Sequence, residues 1–366
     1  MRGTGRGTSG RGEREVDGVR AVVTGATGNV GTAVVEVLLR EERVTEVVGV
    51  ARRRPEIAPP GVRFVEADLA RDDLEPHLSG ADVLVHLAWM FQPTHRPEVT
   101  WQANAVGTAR VLEAAARAGV GAVVHASSVG AYSSGERGLV DESWPTHSLP
   151  TAAYGREKAY AERLLDGFEA RHPDVRVVRL RPAFIFQRRS ATEQRRIFAG
   201  PFTPASLVRP GRVPLLPWPR GLRFQALHAR DVAEAYRLAV VSEARGAFNV
   251  ATDPVLDADA VAGVLGARPV PVSGRAARAA LATLWRMHAV PAEPALLDLV
   301  LGLPLLDTTR IRTELGWRPR TSGVEALREL LEGMADHVGG ETPPLRPDSM
   351  AGRADEVVTG VGERSR

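Results

Sequence analysis

Val19-Arg20-Ala21-Val22-Val23-Thr24 runs straight into Gly25-Ala26-Thr27-Gly28-Asn29-Val30-Gly31. The first six residues read as a buried strand. The next seven place Gly25, Gly28 and Gly31 at the spacing GxxGxxG, and Val30 begins an apolar pattern of helical period extending to Glu42. Glycines there permit a tight turn and close approach of backbone to a pyrophosphate. The following helix offers free N–H groups and the positive end of its dipole. A glycine-rich turn without a ligand is the plain alternative, but its position after the first strand favours a dinucleotide. Thr27, Asn29 and Val30 then belong to the same cofactor loop.

Working outward, short β-branched runs alternate with longer helical patterns. Strands are expected at Val47–Ala51, Arg63–Glu66, Asp82–Ala88, Ala122–Ser127 and Val175–Arg181. Helices are expected at Glu98–Ala118 and Thr151–Ala170. This alternation predicts a parallel sheet with helices on both faces, a Rossmann-like doubly wound α/β fold. Gln187–Arg223 is rich in Pro, Arg and Gly. Asp231–Val241 reads as helix, Ala247–Ala251 as strand, and the chain from Asp257 as mainly helical. The expected division is a cofactor domain (18–182 plus 224–251) and a small, mainly helical C-terminal substrate-binding cap (183–223 plus 252–338). Disordered tails are expected at 1–17 and 339–366.

The chain has 366 residues, 44% hydrophobic and 25% charged, with a formal net charge of +3. Those values suit an ordinary globular protein. No cysteine is present, which excludes thiolate catalysis and cysteine-ligated metals. No histidine pair has metal-ligand spacing, so no metal is expected. Nucleic acid and membrane are not expected partners: there is no basic tract with interleaved aromatics and no long apolar run. The Gly/Arg-rich N-terminus lacks the apolar core of a secretory signal, so the cytoplasm is the expected location. Of 47 basic residues only Lys158 is lysine. A site that keeps lysine against such a background calls for a compact ammonium with a tunable pKa.

After the second strand, where an acidic residue would bind a ribose 2′-hydroxyl, the chain reads Ala51-Arg52-Arg53. Two arginines suit a 2′-phosphate, so NADP(H) is favoured and NAD(H) is the alternative. A solvated charge run is the competing reading. Asp68 is either an acceptor for the adenine amino group or a helix N-cap.

The most specific signal joins Ser127-Ser128, at the end of the fifth strand, to Tyr154 and Lys158, four apart on one helix face. An ammonium beside a phenol is expected to lower the phenol's pKa toward the working range. The tyrosine can then exchange the alcohol proton while hydride moves at the adjacent carbon, with a serine hydroxyl holding the oxygen.

These motifs, with LVHLAW, NAVGTARVLEAA, RLRPAFIF, LHARDVAEAY, GAFNVA and RTELGWRP, resemble an extended short-chain dehydrogenase/reductase of the NAD-dependent epimerase/dehydratase superfamily from about Val19 to Gly333. The resemblance implies Ser128 as substrate-oxygen holder, Tyr154 as acid/base, and Lys158 as tuner of Tyr154 and ligand of the nicotinamide ribose. It implies that His86, Leu87, Ala88 and Ser127 line the cofactor groove, that Asp68 and Leu69 reach its adenine end, and that Pro182 and Ala183 lie by the nicotinamide. Asn104 would tie the long helix to the sheet, and Asp231 would be structural. Relatives often dimerise through the two long helices; Leu112, Ala116, Ala161 and Leu165 would serve such a homodimer or face the sheet.

The chain departs from nucleotide-sugar epimerases at Phe184, Phe186, Gln187 and Phe224, where those enzymes commonly carry polar or glycine residues. With Trp89, Met90 and Phe91 after the fourth strand, these changes imply a more apolar pocket. Trp89, Ser128 and Phe184 are the expected substrate contacts, and the substrate is a small carbonyl, alcohol or sugar. The expected function is hydride transfer at an alcohol/ketone carbon. A nucleotide-sugar epimerase or dehydratase that retains its NAD is the alternative, and a non-catalytic dinucleotide sensor is a weaker one.

Overall fold

A computed structural model describes residues 18–91, 95–135, 138–200, 202 and 204–347. The apolar runs lie side by side as β1 (Val19–Thr24), β2 (Val44–Ala51), β3 (Val62–Glu66), β4 (Val83–His86), β5 (Ala122–Ala126), β6 (Arg176–Pro182) and β7 (Gly246–Val250). They form one seven-stranded sheet in the order 3-2-1-4-5-6-7, and every pairing is parallel. Successive residues of a strand face opposite sides, so a sheet covered on both faces needs nearly continuous apolar sequence. Accordingly Val22, Leu84, Val123 and Val177 pack on one side, and Val23, Val85, Val124 and Val178 on the other.

The covering helices are α1 (Asn29–Leu38), α2 (Gly107–Arg117), α3 (Ala153–Arg171) and α4 (Ala229–Val241). Helix α1 ends four residues before Glu42, because the charged run Arg40–Arg43 offers nothing to bury against the sheet. The expected helix at 98–118 is broken by a π turn at Gln102–Val106. Leu112 and Leu165 are buried in the core under the sheet and Ala116 packs against it, so these three serve the sheet; Ala161 is buried within the single chain. The chain reverses direction across the sheet between β1 and β4, and this switch point opens a crevice at the carboxyl ends of the strands.

Beyond β6 the chain builds smaller pieces. Phe184–Phe186, Phe224–His228 and Thr252–Leu256 form a three-stranded sheet. Leu215–Pro219 pairs in parallel with Arg268–Val272; the alternate prolines in both limit them to a ribbon. Helices follow at Ala258–Leu265, Gly274–Arg286, Pro294–Gly302, Thr309–Glu314 and Gly323–Ala335. Asp231 accepts from the backbone N–H groups of Arg320 (2.8 Å) and Thr321 (3.0 Å), anchoring this region to α4.

The segment 339–347 differs from the expected tail. Leu345 is 1% exposed, Pro343–Leu345 forms a 3-10 turn, and the Thr342 hydroxyl donates to the Thr27 carbonyl at 2.7 Å. A single apolar side chain finding a pocket anchors a segment whose composition is otherwise that of a tail. The expected tail at 1–17 and residues 348–366 lie outside the described residues.

Candidate active site

Of the cofactor, catalytic and substrate residues anticipated from the sequence, all but His86 line one cavity of about 960 Å³ over the switch point. Its floor at one end is the glycine loop. Gly25 has φ +72°, and a Cβ there would lie 2.6 Å from the Ala88 nitrogen. A Cβ on Gly31 would lie 2.1 Å from the Gly25 carbonyl oxygen, so this glycine lets α1 start against the loop. Gly28 is different: a Cβ there meets only the Gly25 oxygen, at 3.5 Å. Its missing side chain leaves room on the cavity side, and no side chain caps α1. That is the cradle a pyrophosphate requires.

Asn29 has a structural task as well. Its side chain donates to the Ile185 carbonyl (3.3 Å) and accepts from the Gln187 amide (2.7 Å). Gln187 thus pins strand Phe184–Phe186 to the start of α1, a role that nothing in its local spacing signals.

Beyond the glycine loop, where the adenosine end is expected, Arg52 and Arg53 follow β2 and line the cavity, joined by Arg71. Asp68 accepts from the Ala70 N–H at 3.0 Å, in the manner of a cap. The 339–347 segment crosses above, where Pro343 and Pro344 line the cavity. Arg346 pairs with Glu56 beyond β2, and Arg196 donates to the Pro344 carbonyl.

At the other end, β5 delivers Ser128 and α3 delivers Tyr154 and Lys158. The Tyr154 hydroxyl donates to Ser128 Oγ at 2.9 Å. Ser127 turns away and donates to Glu162 at 2.5 Å. Glu162 is fully buried, held by Arg179 (3.0 Å) and Arg181 (2.9 Å) from β6. Burial pushes its pKa up, but Arg181, Ser127 and Arg179 outweigh that and hold it at about 2. Lys158 Nζ donates to the Ala126 carbonyl at 2.6 Å and lies 3.4 Å from the centroid of the Trp89 ring. Burial lowers its pKa to about 7, against the opposing pull of Glu162 and Glu157.

The phenol contradicts one expectation. Tyr154 is pushed up to about 12, because burial outweighs its hydrogen bond to Ser128. Lys158 Nζ stands 6.0 Å from the Tyr154 ring centroid and is engaged by Ala126 and Trp89, so it does not favour the phenolate in this arrangement. Phe91 and Tyr154 pack edge to face, with ring centroids 4.3 Å apart.

His86 bridges Thr24 (2.7 Å) and Thr108 (3.0 Å), and burial, then Lys158, lowers its pKa to about 3. It is a fixed neutral strut behind the groove. Among the described residues no three His, Asp or Glu side chains gather as a metal site.

The cavity is also lined by Phe184, Ile197, Phe198, Leu296, Leu299 and Val300, and by the polar Glu98, Gln102, Glu193 and Gln194; Leu296 and Leu299 share a cluster with Tyr154. The residues beyond Phe184 were not anticipated, because they come from irregular or distant segments.

The NAD dependent epimerase/dehydratase family model matches residues 21–251, from β1 through β7. The chain belongs to that family. A 4-hydroxy-2-methyl-3-oxo-4-farnesyl-3,4-dihydroquinoline-1-oxide ketoreductase from Stigmatella aurantiaca is 28% identical over 337 residues, covering 85% of this chain and 96% of that protein. An uncharacterized protein of Mycobacterium bovis is 28% identical over 326 residues, 88% of this chain and 31% of the relative; the chain therefore spans about a third of that relative's length. Among solved structures, the UDP-glucose 4-epimerase of Thermus thermophilus in complex with NAD is 25% identical with a TM-score of 0.64, covering 87% of this chain and all of that one. That family is NAD dependent, and its matched residues include the glycine loop. No described helix is long and apolar enough to cross a membrane.

Proposed function

We propose that the protein is a ketoreductase or alcohol dehydrogenase that favours NADP(H) and acts on a largely apolar carbonyl or alcohol. The observation that carries this reading is the apolar surface beside Tyr154: Leu296 and Leu299 pack in one cluster with it, and Phe184, Ile197, Phe198 and Val300 line the same cavity. An apolar wall leaves the hydroxyls of a sugar unpaired at a cost of about 1–3 kcal/mol each, and it rewards burial of hydrocarbon. The ketoreductase relative, whose name specifies a farnesyl-bearing substrate, supports the same class. Arg52, Arg53 and Arg71 at the adenosine end support a 2′-phosphate, which asks for charge-assisted donors.

A dinucleotide held in the groove supplies or receives the hydride at the carbonyl carbon. Ser128 and Tyr154 share a hydrogen bond, so both hydroxyls reach one substrate oxygen. In the reductive direction Tyr154 gives its proton to that oxygen and becomes a phenolate, and Ser128 keeps its hydrogen bond to the tyrosine oxygen. Proton return from solvent restores the phenol. Residues 183–223 and 252–338 act as the substrate cap over the 18–182 and 224–251 cofactor domain. Val99 and Tyr160 are exposed and Trp101 packs on Tyr160 with centroids 4.8 Å apart; this patch is the homodimer contact we favour.

A second reading, an epimerase or dehydratase that keeps its cofactor, draws support from the segment 339–347 lying over the groove. Titration with NADPH and NADH, followed by turnover on apolar ketones and on UDP-sugars, separates them. NADPH consumption with an apolar ketone is the expected result. UDP-sugar conversion without net cofactor change would replace this reading by the second.

A further inference from the structure

Glu157 sits between Tyr154 and Lys158 in sequence but points away from both. Its side chain is buried, 1% exposed. One carboxylate oxygen lies 2.6 Å from the Thr100 hydroxyl, and the other accepts from Asn104 Nδ2 at 2.7 Å. Asn104 stands in the π turn, a distortion that recurs at functional sites. Its amide reads the Met90 peptide from both sides: Oδ1 accepts from the Met90 N–H at 2.7 Å, and Nδ2 donates to the Met90 carbonyl at 3.1 Å.

The two neighbours of Met90 contact the catalytic pair. Trp89 lies under the Lys158 ammonium, 3.4 Å from centroid to nitrogen, and Phe91 packs on Tyr154. The contacts therefore close a circuit that leaves α3 at Glu157 and returns to it at Tyr154 and Lys158. The buried carboxylate is held by Thr100 and Asn104, and removing it leaves Asn104 with an unmet donor.

We propose that Glu157 is a positioning residue: through Asn104 it fixes the Met90 peptide, and so holds Trp89 against Lys158 and Phe91 against Tyr154. The catalytic meaning of this circuit rests on the dehydrogenase reading above; its geometry does not.

Lys158 is the sole lysine, so protein labelled with 13C-lysine reports this site as one set of resonances. The ε-methylene signal of the wild type is displaced upfield by the Trp89 ring, and Trp89→Ala removes the displacement. Glu157→Ala moves the signal most of the way to the Trp89→Ala position. Glu157→Gln, which keeps shape and one acceptor, moves it part of the way and covers the case in which the alanine variant does not fold. In turnover, Glu157→Ala and Asn104→Ala each lower kcat roughly 10–100-fold with cofactor Kd within about threefold. Because they act in series, the double variant is no worse than the worse single one. A Lys158 signal unmoved in both Glu157 variants overturns the proposal, as does additivity of the two losses. If the wild type turns over no apolar ketone, the functional reading fails while the resonance still decides the positioning role.

Discussion

Lys158 and Trp89 are stacked, with the ammonium 3.4 Å from the indole ring centroid. An ammonium over an aromatic face is attracted by the ring quadrupole, more strongly when water is excluded. Here that attraction offsets part of the cost of burying the chain's lone lysine.

The remaining cost has a measurable pH dependence. In the folded protein Lys158 is lowered to about 7 by burial, while an unfolded lysine titrates near 10.4. Between those values the unfolded chain binds the extra proton, so stability rises as pH increases from about 7 to 10. Below 7 the penalty is fully present. Lys158→Met removes it, and at pH 6 the cofactor-free variant is expected to melt a few degrees above the wild type while losing turnover. Calorimetry across pH 6–10 checks this; a variant that melts lower at pH 6 contradicts it.

His86 acts with the same sign at lower pH. Its folded pKa is depressed to about 3 from an unfolded value near 6.5. The stability it contributes is present above pH 6.5 and is lost as pH falls toward 3. Urea midpoints of the wild type should fall through this window, and His86→Asn should show a shallower fall despite a lower midpoint at pH 7.

Two glycine variants separate cofactor room from folding room. Gly31→Ala drives a Cβ onto the Gly25 carbonyl and should lower stability by about 2 kcal/mol or more. Gly28→Ala meets nothing closer than 3.5 Å. It should keep the wild-type melting temperature but weaken dinucleotide binding at least about tenfold, because the methyl occupies pyrophosphate space. Equal effects of the two substitutions on folding would undo the assignment of Gly28 as the cradle.

Arg52→Ala with Arg53→Ala tests the cofactor preference. Charge-assisted contacts to a phosphate are worth about 1.5–3 kcal/mol, so the NADPH Kd should rise roughly 10–100-fold while that of NADH stays within about threefold. Parallel weakening of both would assign these arginines to general surface charge.

The sheet was legible because a parallel, doubly covered strand must be apolar along its length, as Val83–Val85 and Ala122–Val124 are. The glycine loop and the Ser128–Tyr154–Lys158 set were legible because their chemistry requires fixed spacing within short stretches. The rest lies in contacts between residues far apart in sequence. Thr342 meets Thr27 across 315 positions, Gln187 meets Asn29 across 158, and Glu157 meets Asn104 across 53. Local periodicity carries none of these. The phenol's raised pKa escaped for the same reason: spacing four residues apart places Lys158 near Tyr154, but only the fold shows its nitrogen committed to Ala126 and Trp89.

In the proposed reaction Tyr154 moves the proton while hydride is transferred at an apolar carbonyl. Steady-state reduction of such a ketone by NADPH, compared between wild type and Tyr154→Phe, tests it most directly. NADPH binding is expected to be unchanged and kcat to fall about 10²–10⁴-fold, the range for loss of a positioned acid. A Tyr154→Phe protein that turns over at the wild-type rate would contradict it.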